Sequence, residues 1–296
     1  FIFDFHGDLA KDLHHALGSE ECLILDAAQG LPFNPLEVDP MRRQQERGWI
    51  THYFEVAEIF SNIYPSFGEL QVSFLRQILK QCYEGAGFAA SAVNPTPPRF
   101  IEFWRCLKEK AETDREARKI AARLEPIFEL RLFKEELATS YPLPYLLTRV
   151  TILDLHSLEN EENQRVAASF FLQRLYRDMF SRAEEARLRN AVILDEAHRV
   201  ARLSIIPKMM QECRKYGILF ILASQRVEDF DKGVLDSAGN HLYLRVNYPD
   251  AKRLSAYLGG REAHGELVRR LQDLHKFRAL FRSEDYRPFV EVLLKK

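Results

Sequence analysis

The sequence predicts an α/β fold: a buried sheet of parallel strands flanked by helices. Three observations carry that expectation. The run Ala191-Val-Ile-Leu194 is short, continuously apolar and followed by two acids, Asp195 and Glu196. Gly217-Ile-Leu-Phe-Ile-Leu-Ala223 repeats the pattern and ends in Ser224, Gln225 and Arg226. Continuous apolar runs of this length suit strands covered on both faces, and such sheets place their ligands just outside the carboxyl ends. From Val150 onward, such runs alternate with helical patterns, as parallel pairing requires.

In chain order, residues 1–5 and 22–25 read as strands, joined by a helix over Leu9 to Leu17, with Asp26 at the second carboxyl end. From Pro40 to about Tyr145 the pattern becomes helical. Val56, Ile59, Phe60 and Ile63 share one face, as do Phe74, Ile78 and Leu79. Asn94-Pro-Thr-Pro-Pro98 is a loop, because prolines remove donors and bias their predecessors away from helix. A charged helix follows from Lys108 to Ala138, broken near Pro126. Residues 40–145 are therefore expected as a helical subdomain inserted into a core made of 1–39 and 146–296.

Asn160 to Leu188 reads as one long amphipathic helix, with Val166, Phe170, Phe171, Leu175, Met179 and Phe180 toward the sheet. Glu159, Glu161 and Glu162 open it; Arg182, Arg187 and Arg189 close it, in line with the helix dipole. Strands are expected at 191–195, 218–223 and 241–246. The tail, Lys276–Arg282 and Pro288–Leu294, alternates apolar and polar residues and reads as a β-hairpin.

Composition bounds the function. With 296 residues and 46% hydrophobic content, the chain buries a large core, in one domain or two. A net charge of −1 gives no global basic footprint, which disfavours a monomeric nucleic-acid binder. The cysteines at 22, 82, 106 and 213 have neither C-x-x-C nor zinc spacing, so thiols in a reducing, cytoplasmic setting are expected. No signal peptide or apolar run of membrane length occurs in the sequence.

Two adjacent acids at a strand's carboxyl end suit nucleotide hydrolysis. Asp195 would hold Mg²⁺ through its water shell, and Glu196 would orient and deprotonate the attacking water. An acidic turn without chemistry is the alternative. Gln225, on the neighbouring strand tip, both donates and accepts hydrogen bonds and suits sensing of a γ-phosphate. His198 either couples the site to its surroundings or makes a structural hydrogen bond.

Several segments together resemble the HerA–FtsK group of P-loop motors, most closely the HerA branch and its conjugation-ATPase relatives. They are Phe1-Ile-Phe-Asp-Phe-His-Gly-Asp8, Phe33-Asn-Pro-Leu36, Val150-Thr-Ile-Leu-Asp-Leu155 and Asp195-Glu-Ala-His198. Gln211-Glu-Cys-Arg-Lys-Tyr-Gly217, Ala223-Ser-Gln-Arg226 and Leu242-Tyr-Leu-Arg245 complete the set, in order across residues 1 to about 260. The resemblance implies a RecA-like P-loop NTPase sheet, ATP with Mg²⁺, double-stranded DNA in a pore, and a homo-oligomeric ring, a hexamer. It often brings a nuclease partner. Asp4, His6 and Gly7 fall in the group's Asp-x-His-Gly position beside the cofactor; turn capping is the plainer role for Asp4. A cation from the neighbouring subunit would come from Arg214 or Lys215, with Arg245 and Arg226 next. Basic runs at Arg42-Arg43 and Arg115 to Lys119 read as solvated helix faces before they read as DNA contacts.

One element of the group's pattern is absent: no Gly-x-x-x-x-Gly-Lys-Ser/Thr loop follows either Gly85/Gly87 or Gly259/Gly260. The expectation is a fragment starting after that loop. In the group, the loop's strand lies between the strand ending at Gln225 and the one carrying Arg245. Omitting it leaves a gap of roughly twice the ~4.8 Å interstrand spacing. Direct pairing of those two strands would instead favour a non-catalytic assembly subunit. The Asp-Glu-Ala-His tetrapeptide also suggests a superfamily 2 helicase, but too little chain follows Asp195 for its second domain.

Overall fold

The structure, a computed structural model, describes residues 1–39, 47–88, 95–201, 203–230, 232–259, 264–283, 285–287 and 289–295. The predicted features at Arg42-Arg43, Asn94 and Gly260 lie outside the described residues. Five parallel strands form the main sheet: β1 (Ile2–Asp4), β2 (Cys22–Asp26), β3 (Val150–Asp154), β4 (Glu185–Leu194) and β5 (Tyr216–Leu222). Their order is β2-β3-β1-β4-β5. Helix α1 (Asp8–Leu17) links β1 to β2.

The two faces of the sheet are covered unequally. On one, Phe1, Phe3, Phe5, Leu25, Leu153, Val192 and Leu194 join a single large core. Phe171 anchors it, its ring 4.7 Å from Phe1 and 6.2 Å from Phe3. Phe171 belongs to α7 (Glu161–Phe180), the helix that spans this face, started by Asn160, whose side chain accepts from the N–H groups of Glu162 and Asn163. On the other face, Ile2, Cys22, Ile152 and Ala10 pack with Leu9, Leu13, Ile24, Val150 and Ile193 under α1. Beyond Ile193 this cover ends: Leu219 and Ile221 of β5 are 43% and 39% exposed.

The segment after Pro40 is helical, as predicted: α2 (Gly48–Ile63), α3 (Glu69–Gly85), α4 (Phe100–Thr113), α5 (Arg115–Glu129) and the short α6 (Leu143–Leu147). Its apolar stripes do not form a core of their own. Val56, Phe60, Leu75, Ile78, Phe103 and Leu124 belong to the same cluster as the sheet. The charged helix divides at Asp114, not at Pro126. Asp114 accepts hydrogen bonds from the N–H groups of Glu116 and Ala117, a side-chain cap that starts a new helix. Pro126 lies in the last turn of α5, and the helix runs past it to Glu129.

A second departure concerns residues 181–190. Helix α7 stops at Phe180, and Arg187 and Arg189 lie on β4. Strand pairing overrides the helical pattern here: Glu185 pairs with Tyr216, and a register shift separates it from the pairing at Asn190. Arg182 folds back onto Asp178 and also donates to Asn190 Oδ1 at 2.8 Å, closing the turn between helix and strand. Gly217 makes the approach possible, with φ +67 and only 2.3 Å between an added Cβ and the Arg187 carbonyl oxygen.

The predicted hairpin is present as β7 (Arg278–Arg282) and β8 (Val290–Leu293), antiparallel. β6 (His241–Tyr243), shorter than the predicted 241–246, pairs antiparallel with β7. Helices α8 (Ile205–Glu212) and α9 (Lys232–Ser237) flank β5, and α10 (Tyr248–Gly259) and α11 (His264–Asp273) follow β6. The C-terminal elements carry a small core of their own, from Ala251, Leu254, Leu267, Leu271 and Leu280. Among the described residues β5 and β6 do not pair; each is the edge of a separate sheet.

Gly217→Ala tests the crossing at β4. It imposes both an unfavourable positive φ and a clash with backbone, so destabilisation above ~1 kcal/mol is expected in denaturant melts. A neutral result would show that the bulge relaxes freely.

Candidate functional site

The site is built at the carboxyl edge of the main sheet. Register aligns Asp4 with Asp154, and Asp154 with Asp26, so three strands end in aspartates side by side. Each is engaged by its own turn. Asp26 accepts from Ala28 N at 2.9 Å and Asp154 from Ser157 N at 3.3 Å. Asp4 is fully buried and accepts from the N–H groups of His6, Gly7 and Ala10. Gly7 takes φ +80, and an added Cβ would sit 3.0 Å from the His156 ring. Thus the Asp-x-His-Gly segment is a turn in which Asp4 caps, Gly7 supplies the conformation, and His6 is left to reach outward.

Burial pushes the Asp154 carboxyl above the usual range, with Asp4 and Asp26 adding to it. Asp26 and Asp154 were not singled out as site residues, although each follows an apolar strand as Asp4 and Asp195 do.

β4 delivers Asp195 and Glu196. Glu196 adopts φ 49, an uncommon left-handed conformation for a side chain of its size. The turn is tied to β5 by Ala197 N to Ala223 O at 2.7 Å and Ala223 N to Leu194 O at 2.9 Å. These bonds bring the tips of β4 and β5 together. Gln225 Nε2 then donates to Glu196 Oε1 at 2.7 Å. His6 Nε2 lies 3.2 Å from the same oxygen, and His198 Nδ1 lies 3.0 Å from Oε2. The Glu196 side chain is 9% exposed. Four residues singled out from the sequence, His6, Glu196, His198 and Gln225, therefore meet at one carboxylate.

Asp195 differs from its neighbour. Among the described residues it has no ion-pair partner, and burial raises its carboxyl above the usual range, with Glu196 and Asp4 contributing. A half-buried acid in that state suits a divalent cation held through water. Asp195 is a single carboxylate here: among the described residues no group of three or more His, Cys, Asp or Glu side chains is placed to enclose a metal ion. The phosphate-cradling loop of this chemistry has no counterpart in residues 1–296.

The remaining candidates stand apart from the carboxylate. Arg214 is exposed just before β5, at the end of the strand opposite Gln225. Arg245 is exposed in the segment after β6. Arg199, not selected from the sequence, lines the rim: it donates to Gln164 Oε1 at 2.7 Å and lies 5.5 Å over the Phe5 ring.

Comparison with known proteins places this geometry. Residues 189–284 match the family model for the TraM recognition site of TraD and TraG. The structure of VirB4 of Thermoanaerobacter pseudethanolicus is similar at 18% identity and a TM-score of 0.70, over 99% of this chain and 80% of that one. The chain has the fold of the HerA/FtsK-type P-loop ATPases. The plasmid coupling protein TrwB in complex with ADP and Mg²⁺ aligns at 14% identity and a TM-score of 0.62, over 99% and 78% of the two chains. With a non-hydrolysable GTP analogue, TrwB aligns at 13% identity and a TM-score of 0.59, over 99% and 84%. No curated protein matches at a meaningful level. No described helix is long and apolar enough to cross a membrane.

Asp154 provides a test of the site's electrostatics. With its folded-state carboxyl raised, the proton favours the fold, and that contribution is lost as pH rises through the raised value. Asp154→Asn should therefore raise the melting temperature at pH 7, with the gain shrinking in acid, where the wild-type carboxyl is already protonated. A lower melting temperature at pH 7 would show that the carboxylate is better solvated than its burial implies.

Proposed function

We propose that this chain is the ATP-hydrolysing core of a DNA-translocating motor of HerA type, working as a ring on double-stranded DNA. The Glu196–Gln225 contact carries the reading, because it joins a candidate base to a candidate phosphate sensor across two strand tips. Asp195 would hold Mg²⁺ through water, and ATP would present its γ-phosphate to Gln225. Mg²⁺ there would offset charge on the transferring phosphoryl group. Glu196 accepts the proton of the attacking water, and Gln225 passes the state of the phosphate to β5. TrwB, which shares the fold, has been seen with ADP and Mg²⁺, which supports this choice of ligands. Its description as a plasmid coupling protein supports a DNA-handling role.

Arg214 and Arg245, away from the carboxylate of their own chain, suit service to the site of a neighbouring subunit in a hexameric ring. A nuclease partner for such a ring belongs to the same reading. The near-neutral charge is compatible with it, since a ring concentrates its cations in the pore rather than over the whole surface.

The phosphate loop is the missing part, and the open edges indicate where its strand would enter. Leu219 and Ile221 on β5 and Leu242 and Leu244 on the β6 side are exposed apolar residues beside unpaired strand edges. Such edges invite pairing or aggregation. A strand supplied from outside residues 1–296, by upstream sequence or another chain, would fill the position. Residues 1–296 alone should then aggregate at micromolar concentration and fail to retain a fluorescent ATP analogue. A soluble monomer that binds the analogue would defeat this part of the reading.

In the full-length protein, Glu196→Gln should preserve nucleotide binding and lower ATP turnover by at least ~10²-fold, the scale of lost acid–base catalysis. Turnover near that of the wild type would remove Glu196 from the reaction.

A further inference from the structure

Two imidazoles flank the Glu196 carboxylate, one against each oxygen. His6 reaches Oε1 from the turn after β1, at 3.2 Å through Nε2. His198 reaches Oε2 from the short helical turn over Ala197–Arg199, at 3.0 Å through Nδ1. With Gln225 on Oε1, three side chains from three separate segments converge on one carboxylate.

We infer that His6 and His198 are positioning residues for Glu196, gripping its carboxylate from opposite sides, and that neither is a nucleotide ligand. The inference rests on reading Glu196 as the base. The histidine side chains are 47% and 40% exposed while the Glu196 side chain is 9% exposed, so they form its solvent-side cover. Gln225 supplies the directed hydrogen bond, while His6 and His198 hold the carboxylate by close approach of their ring nitrogens. An ionised carboxylate offers about four lone-pair sites. Gln225 donates to one of them, and the two rings crowd the others, which restricts the directions open to water.

The rest of the local structure supports the same grip. Asp4 and Gly7 fix the turn that carries His6, through three backbone hydrogen bonds and a positive φ. The left-handed backbone at Glu196 starts the turn that carries His198 back over its own neighbour. Holding a long, rotamer-rich side chain in one reactive geometry is worth more than its few contacts suggest.

The test uses the full-length protein and separates binding from turnover. His6→Ala and His198→Ala should each lower kcat about 10-fold or more. The dissociation constant of a fluorescent ATP analogue should change by less than about 2-fold, well inside one tenfold step of affinity. His6→Gln, whose amide nitrogen falls near Nε2, and His198→Asn, whose amide nitrogen falls near Nδ1, should recover most of the loss. In a Glu196→Gln background, His6→Ala should add nothing further, because it acts through the carboxylate. Analogue affinity falling in parallel with kcat, or an additive loss in that background, would overturn the inference. A crystal structure of the His6→Ala/His198→Ala variant supplies a readout independent of hydrolysis. The Glu196 side chain should spread over more than one rotamer, and a single unchanged rotamer would overturn the grip. A wild-type protein without ATPase activity would sink the functional reading, while this crystallographic result still decides whether the imidazoles hold the carboxylate.

Discussion

Phe3, in a strand only three residues long, and Phe5 just after it join the core under α7, and that packing sets the level at which the sheet ends. Both rings are buried, and Phe3 meets Phe171 edge-on. β1 lies between β3 and β4, so its height is passed to both neighbours through the register: Ile2 opposes Ile152 on one side and Ile193 on the other. Asp4 then stands level with Asp154, and the β4 turn begins beside it. A one-residue slip of β1 would put its phenylalanines on the face of α1 and withdraw His6 from Glu196.

Charge at that level is handled in two ways. Asp4, Asp26 and Asp154 each have their carboxylates engaged by backbone N–H groups of the turns they start, which is how strand ends are commonly finished. Glu196 is held by side chains instead, and side chains can let go. Asp195 accepts from the N–H of the adjacent Glu196 and has no ion-pair partner among the described residues, and burial still raises its carboxyl. The distinction between acids that build turns and acids that remain available is therefore written in their partners. Position in the sheet alone does not separate them.

Local patterns in the sequence reveal the strands ending at Asp4, Asp26, Asp154, Leu194 and Leu222, because buried parallel strands are short apolar runs. The meeting of Glu196 and Gln225 is legible for the same reason: both follow such runs. What escapes is decided by partners far along the chain. Residues 185–188 look helical until Gly217 lets β5 approach this stretch. The break at Asp114 was hidden by a proline twelve residues later, a stronger local punctuator than a capping acid. His6 reads as a ligand by its motif, whereas its contact with Glu196 joins residues separated by about two-thirds of the chain. The separate C-terminal core was also invisible, since hydrophobic periodicity does not say which core a helix joins.

That separate core has a mechanical consequence. Val227, two residues after Gln225, packs against the C-terminal cluster with Tyr243, Val246 and Leu258 rather than against the main sheet. Arg253 of α10 holds the same loop by its ion pair to Glu228. The glutamine that touches Glu196 thus sits on a short tether whose far end is anchored in a different body. If the C-terminal unit rotates as a whole, the tether tightens or slackens, and the amide moves with it by an amount set by a lever of two residues. Load applied to one core is then felt at a hydrogen bond in the other.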